Sequence, residues 1–215
     1  NKSRIYTNGK FLSVMEAKDF YLDFVLNRGL RIALGAFMEL RRKYEIIILE
    51  GAGSPAEINI QKYDIANMIF AAKVNAPVIL VSDIERGGCF ASILGTMMLL
   101  KPSHQRLVKG ILINKFRGDN TILFPAIKKI ESKIKKPTLG IIPKIDHNIP
   151  EEDSLDGDKC DYEIKLSLNE NKKKDVMDDY QKSTVQSTLD AEISMFAEKV
   201  ESSINMDYII KKIIG

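Results

Sequence analysis

Four short apolar runs, each closed by a polar or turn-forming residue and separated by segments of helical spacing, constrain this chain more than any other feature. Ile46 to Leu49 ends on Glu50, and Pro77 to Ser82 ends on Asp83. Gly110 to Ile113 leads into Asn114-Lys115-Phe116-Arg117-Gly118-Asp119, and Leu139 to Ile142 is closed by Pro143. Each run is too brief for a helix and reads as a strand buried on both faces. Apolar residues recur at helical intervals over 64–75, 88–100 and 121–134. Strand and helix alternating at this pitch imply right-handed crossovers. The expected fold is α/β, a parallel sheet with helices on both faces and strands near 45–50, 78–83, 109–114 and 138–142. A long core-packing helix over about Met15–Lys43 precedes it, carried by Phe20, Phe24, Leu34, Phe37, Met38 and Leu40.

In such a sheet a ligand lies beyond the carboxyl ends of the strands. Three of the four runs deliver polar groups there, so the acids Glu50 and Asp83 are candidate Mg²⁺ ligands, with a turn cap the alternative for each. Gly51 and Gly53 follow Glu50, and Gly87 and Gly88 follow Asp83, where a backbone without Cβ lets a ligand approach closely. Asn114 offers a donor and an acceptor together, as a purine edge requires, or is a turn residue. Lys115 and Arg117 are candidates for phosphates or substrate carboxylates, and Arg86 for a substrate carboxylate; each is otherwise a solvated surface cation.

Composition narrows the class. The 215 residues are 45% hydrophobic, enough for one core-bearing domain of about 150 residues with an appendage. The net charge is +3, and the lysines are spread rather than gathered with aromatics, which argues against nucleic acid as a partner. Two cysteines at unrelated places give neither a disulfide framework nor metal-ligand spacing. No apolar stretch reaches the ~20 residues of a membrane span, and the cytoplasm is the expected location. Residues 1–155 read as the main domain, 156–188 as a polar lysine-rich linker and 189–215 as a helical tail. In that tail Ile193, Phe196, Ala197, Val200 and Ile204 share a face.

The motifs EGAGSPAEIN at Glu50–Asn59, DIANM at Asp64–Met68, APVILVSDIERGGCFASILGT at Ala76–Thr96, VKGILINKFRGD at Val108–Asp119 and LGIIP at Leu139–Pro143 occur in order. Together they resemble the amino-terminal domain of cobyric acid synthase, a glutamine-dependent amidoligase of cobalamin synthesis. Ser3–Met15 is similar to the family's segment ahead of its long helix, and the tail to its last segment. Glu85 and Cys89 stand where the family usually has an aspartate and a valine.

The resemblance implies a P-loop, dethiobiotin-synthetase-like fold that uses ATP and Mg²⁺. Its substrate would be a corrinoid, adenosylcobyrinic acid a,c-diamide, whose peripheral carboxylates are amidated to give cobyric acid. In that chemistry ATP converts a carboxylate, whose oxygen leaves poorly, into an acyl phosphate that ammonia can attack. Glu50 and Asp83 would hold the metal, Gly51, Gly53, Asn114, Lys115 and Arg117 the nucleotide, and Arg86, Gly87 and Gly88 the corrinoid. The family's phosphate loop requires glycines and a lysine between a strand and a helix, and no such pattern occurs in these residues. Neither Cys89 nor Cys160, with His104 or His147, has the setting of a glutaminase nucleophile. The expectation is an incomplete synthetase portion, inactive unaided, whose partners are the corrinoid and, as separate chains, the phosphate-loop and glutaminase portions. The alternatives are a non-catalytic truncated paralogue that binds nucleotide, corrinoid or a partner subunit, and another dethiobiotin-synthetase-like ligase.

Overall fold

The computed structural model describes residues 2–149 and 179–215, with side chains described for 2–149 and 187–215. It opens on a two-stranded antiparallel hairpin, β1 (Lys2–Thr7) and β2 (Lys10–Glu16). The turn is Asn8-Gly9, both residues at positive φ (50° and 73°), the geometry of a type I′ turn whose twist matches that of the strands. A helical segment follows without a break: α1 (Ala17–Asp19), a π-helical stretch (Phe20–Gly29) and α2 (Leu30–Arg41). This matches the long helix expected over Met15–Lys43, with a π-helical half that apolar spacing does not reveal.

The second sheet is parallel and ordered β3 (Val78–Asp83), β4 (Val108–Phe116), β5 (Thr138–Pro143). α3 (Met68–Val74) leads into β3, α4 (Cys89–Leu99) and α5 (Pro102–Leu107) connect β3 to β4, and α6 (Phe124–Ile134) connects β4 to β5. Both crossovers step the same way along the sheet, so their common hand lays α4 and α6 on one face. Alternation along β4 sorts its side chains between the two faces. Ile111 and Ile113, fully buried, meet Met68, Ile93, Met97, Ile127 and Ile130 on the α4–α6 face. Leu112 points the other way, to Leu139, Ile142 and Ile209.

That second face is covered by the C-terminal residues. α7 (Asp179–Glu201) is followed by α8 (Met206–Tyr208) and a π-helical end (Ile209–Ile214). Val200, Ile204, Met206, Ile209 and Ile213 pack there. Gly140 sits so close to this segment that a Cβ on it would come within 2.4 Å of the Ser203 carbonyl oxygen. The fold is α/β, with a parallel sheet and helices on both faces. α7 starts ten residues ahead of the expected boundary at 189, and residues 156–178 of the expected linker lie outside the described residues.

One expected strand does not form. Residues 45–50 are neither helix nor strand, and Ile46, Ile48 and Leu49 are exposed (56%, 90% and 44%). An apolar run becomes a buried strand only when neighbouring backbone satisfies its N–H and C=O groups. Among the described residues no strand pairs with this one, and the parallel sheet has three strands rather than four.

Candidate functional site

The register of the sheet builds the site. Asp83 at the end of β3 is the direct neighbour of Asn114 on β4, so two of the residues picked from strand ends lie side by side. The Ile84 N–H donates to the Asn114 carbonyl (3.0 Å), which continues the pairing one residue beyond the strand. Past this point the chain turns sharply on both strands. Gly87 and Gly88 adopt φ of 74° and 67° and place Cys89 at the start of α4, while Lys115 itself is left-handed at 61°.

Asp83 is held on both oxygens. Its Oδ1 accepts from the Glu85 N–H (2.8 Å) and its Oδ2 from Lys115 Nζ (3.1 Å). Partial burial opposes its ionisation, but the Glu85 N–H, the Lys115 ammonium and Arg86 outweigh that and hold the carboxyl below its ordinary range. Asp83 is therefore an ionised carboxylate at neutral pH, as a hard cation requires of an oxygen ligand. Asn114 Oδ1 accepts from the Lys115 N–H (2.9 Å), and among the described residues nothing accepts from its Nδ2. The amide thus faces a ligand as a donor rather than as the donor–acceptor pair expected from the sequence.

Beside this lies a second charge cluster. Glu85 accepts from Arg117 (2.8 Å) and from Lys144, the first residue after β5. Lys144 is the leading cause of the lowered Glu85 carboxyl; Arg117 adds to it, and residual desolvation opposes both. Lys144 was open to the strand-end logic used for Asp83 and Asn114, since it is the first charged residue after the fourth apolar run. Arg117 keeps two-thirds of its side chain exposed while paired.

A cavity of about 300 Å³ gathers part of these residues. Its walls are the Gly53-Ser54-Pro55 loop, the end of β3 from Leu80 to Asp83, Arg86 with Gly87, and one face of α4 at Cys89, Ser92, Ile93 and Thr96. The amino terminus of α4 opens onto it, where unpaired backbone N–H groups and the helix dipole favour an anion. Gly51, Gly88, Asn114, Lys115 and Arg117 stand outside its lining, and so does Glu50, which is exposed and belongs to no strand. Among the described residues no cluster of three or more His, Cys, Asp or Glu is arranged to hold a metal ion. A Mg²⁺ at Asp83 would have to complete its shell with phosphate oxygens and water, its usual habit at nucleotide sites. Cys89 is buried, its thiol pushed up by burial and near Ser82 Oγ (3.3 Å), the opposite of a reactive thiolate. Cys160 lies outside the described residues. A larger cavity of about 540 Å³ at the outer edge of β5 contains none of the residues picked from the sequence.

A family model described as an AAA domain matches residues 18–152, well over half of the chain and the whole of the β3–β5 sheet with its crossovers. The chain belongs to this AAA domain family. Among curated proteins it is 47% identical to the probable cobyric acid synthase of Thermococcus kodakarensis over 154 residues, 72% of this chain and 32% of that protein. To the cobyric acid synthase of Acaryochloris marina it is 44% identical over 154 residues, 72% of this chain and 31% of that one. To that of Desulforamulus reducens it is 45% identical over 160 residues, 73% and 31% of the two chains. The resemblance carried by the motifs is thus matched by relatives bearing that name. The chain spans about a third of the length of these relatives. No solved structure matches it. Among the described residues no helix is long and apolar enough to cross a membrane.

Proposed function

We propose that the carboxyl edge of the β3–β4–β5 sheet is the Mg·ATP-binding and carboxylate-activating part of a cobyric acid synthase-type amidoligase. Its substrate would be a corrinoid, adenosylcobyrinic acid a,c-diamide, amidated on peripheral carboxylates. The observation that carries this reading is the convergence of an ionised Asp83, Arg86, Gly87 and the amino terminus of α4 on one cavity walled by the Gly53–Pro55 loop. Asp83 is the first residue to hold Mg²⁺, which when bound neutralises phosphate charge; Glu50, on the chain just before the wall, is the second candidate. Lys115, paired with Asp83 in this structure, would be free to meet a phosphate oxygen if Asp83 held a metal, exchanging one partial neutralisation for another. Arg86 and the backbone at Gly87 and Gly88 meet a substrate carboxylate, and Asn114 Nδ2 donates to a ring nitrogen of the base.

The reading places the chain in the cytoplasm and leaves two tasks to residues other than these 215: a phosphate loop, and a glutaminase thiol that supplies ammonia. These 215 residues alone would then release no ammonia from glutamine and amidate no carboxylate. Fusing them to the corresponding remaining portions of a relative tests this. The fusion should turn over the corrinoid with ATP and glutamine, and Asp83→Asn should slow it by about 10²–10³-fold, the scale of losing one preorganised electrostatic group. Glu50→Gln in the same fusion ranks the two acids. A fusion that is active and indifferent to Asp83→Asn would remove Asp83 from the metal.

A further inference from the structure

The DIANM motif at Asp64–Met68 has no part in the chemistry above, yet it is the attachment point of the cavity's outer wall. Residues 45–55 lie in no helix or strand. Ser54 Oγ accepts from the Ala56 N–H just beyond them (3.2 Å), and among the described residues one hydrogen bond ties them to a distant part of the chain: Asn67 Nδ2 donates to the Ala52 carbonyl (3.0 Å). Asn67 is itself fixed by Asp64, whose Oδ1 accepts from both the Asn67 N–H (3.0 Å) and Nδ2 (3.1 Å). Both hydrogens of that amide are thereby spent, one on the wall and one on its support. The next residue, Met68, is buried in the core at the start of α3, so the support is rooted in packed structure. Gly51 closes the contact from the loop side. A Cβ there would come within 2.2 Å of Asn67 Oδ1 and 2.5 Å of the Ala66 carbonyl oxygen, so only glycine fits.

We propose that Asp64 and Asn67 are positioning residues of the nucleotide site: they hold the Gly53-Ser54-Pro55 wall over Asp83 through the single bond at Ala52. This rests on the functional reading above. The chemistry of the anchor requires an amide donor at 67 and an acceptor oxygen at 64. Asn67→Asp keeps the shape but turns the donor into an oxygen facing the Ala52 carbonyl and the Asp64 carboxylate, so it repels both. Asp64→Asn keeps an acceptor oxygen and serves as the conservative replacement.

The test is made on the 215-residue chain with two readouts, backbone ¹⁵N order parameters at Gly51–Ser54 and titration with Mg·ATP. The wild type should show order parameters near 0.85 at these amides, falling below about 0.6 in Asn67→Asp, with β4 amides unchanged. The Mg·ATP Kd should rise about fivefold in Asn67→Asp, the worth of one lost hydrogen bond, and stay within about twofold in Asp64→Asn. Gly51→Ala, which breaks the same contact from the loop side, should loosen the wall as Asn67→Asp does and serves if that variant does not fold. Unchanged order parameters in both variants, or a loosened wall with an unchanged Kd, would overturn the proposal. A wild-type chain with an ordered wall but no Mg·ATP binding would instead overturn the functional reading and leave the anchor as a structural contact.

Discussion

Lys115 carries two separable quantities, a left-handed backbone and a charge, and comparing Lys115→Ala with Lys115→Gly measures each. The ion pair to Asp83 is lost in both variants. With side chains 47% and 27% exposed, it is worth about 0.2–1 kcal/mol, so Lys115→Ala should fall below wild type by that amount. The backbone distinguishes the two variants. At a φ of 61° an L-residue costs about 1–2 kcal/mol, which glycine escapes. Against this, glycine forfeits about 0.5–1 kcal/mol more chain entropy than alanine on folding. The difference, about 0–1.5 kcal/mol and centred near 0.75, leaves Lys115→Gly more stable than Lys115→Ala by about 2–3 °C in Tm for a chain of this size. Thermal unfolding followed by circular dichroism reads it. Both variants should weaken Mg·ATP binding alike, because both lack the ammonium. Lys115→Ala proving the more stable would refute the left-handed turn, and weakened binding in only one variant would refute the role given to the charge.

Three further perturbations address the frame around the site. Gly110→Ala would drive a methyl to 2.5–2.9 Å from three side-chain carbons of the buried Leu139, and should cost about 1–3 kcal/mol in urea unfolding. Ile209→Ala removes the C-terminal side chain that packs on Leu112, Leu139 and Ile142, and should cost about 2–5 kcal/mol by the same assay. His104 is buried on α5, its imidazole held below the ordinary 6.5 by burial and by Lys101, against the pull of Asp64. The unfolded chain therefore takes up this proton first as pH falls, so stability present above pH 6.5 should decline as pH falls below 6.5. His104→Gln should flatten that slope of urea midpoint against pH.

The three paired strands were legible because their apolar runs carry both the strand signal and the strand end. β3, β4 and β5 fall within two or three residues of the runs around Ile79, Ile111 and Ile141, and α3, α4 and α6 within the spans of helical spacing. The run at Ile46–Leu49 has the same composition and no strand, because pairing depends on a neighbour that composition does not report. The amino-terminal hairpin is also legible. Asn8-Gly9 between Ile5-Tyr6 and Phe11 is the strongest short-range hairpin signal, and the structure forms the turn it specifies. At the sheet edge, strand-end logic picks Asp83 and Asn114, and the register sets them side by side. It did not find the roles of Glu85, Lys144, Asp64 and Asn67. Those depend on which groups meet across 59 residues of chain, for the Glu85 and Lys144 side chains, or 15, for the Ala52 carbonyl and the Asn67 amide. No local pattern encodes these distances.

Whether the carboxyl edge of this sheet holds Mg·ATP through Asp83 is decided by calorimetric titration of the 215-residue chain with ATP, with and without Mg²⁺. No phosphate-loop pattern lies within these residues, so binding should be weak, with a Kd of about 1 mM, or about −4 kcal/mol. It should require Mg²⁺ and be lost in Asp83→Ala. ATP binding that is indifferent to Mg²⁺, or that persists undiminished in Asp83→Ala, would contradict the account.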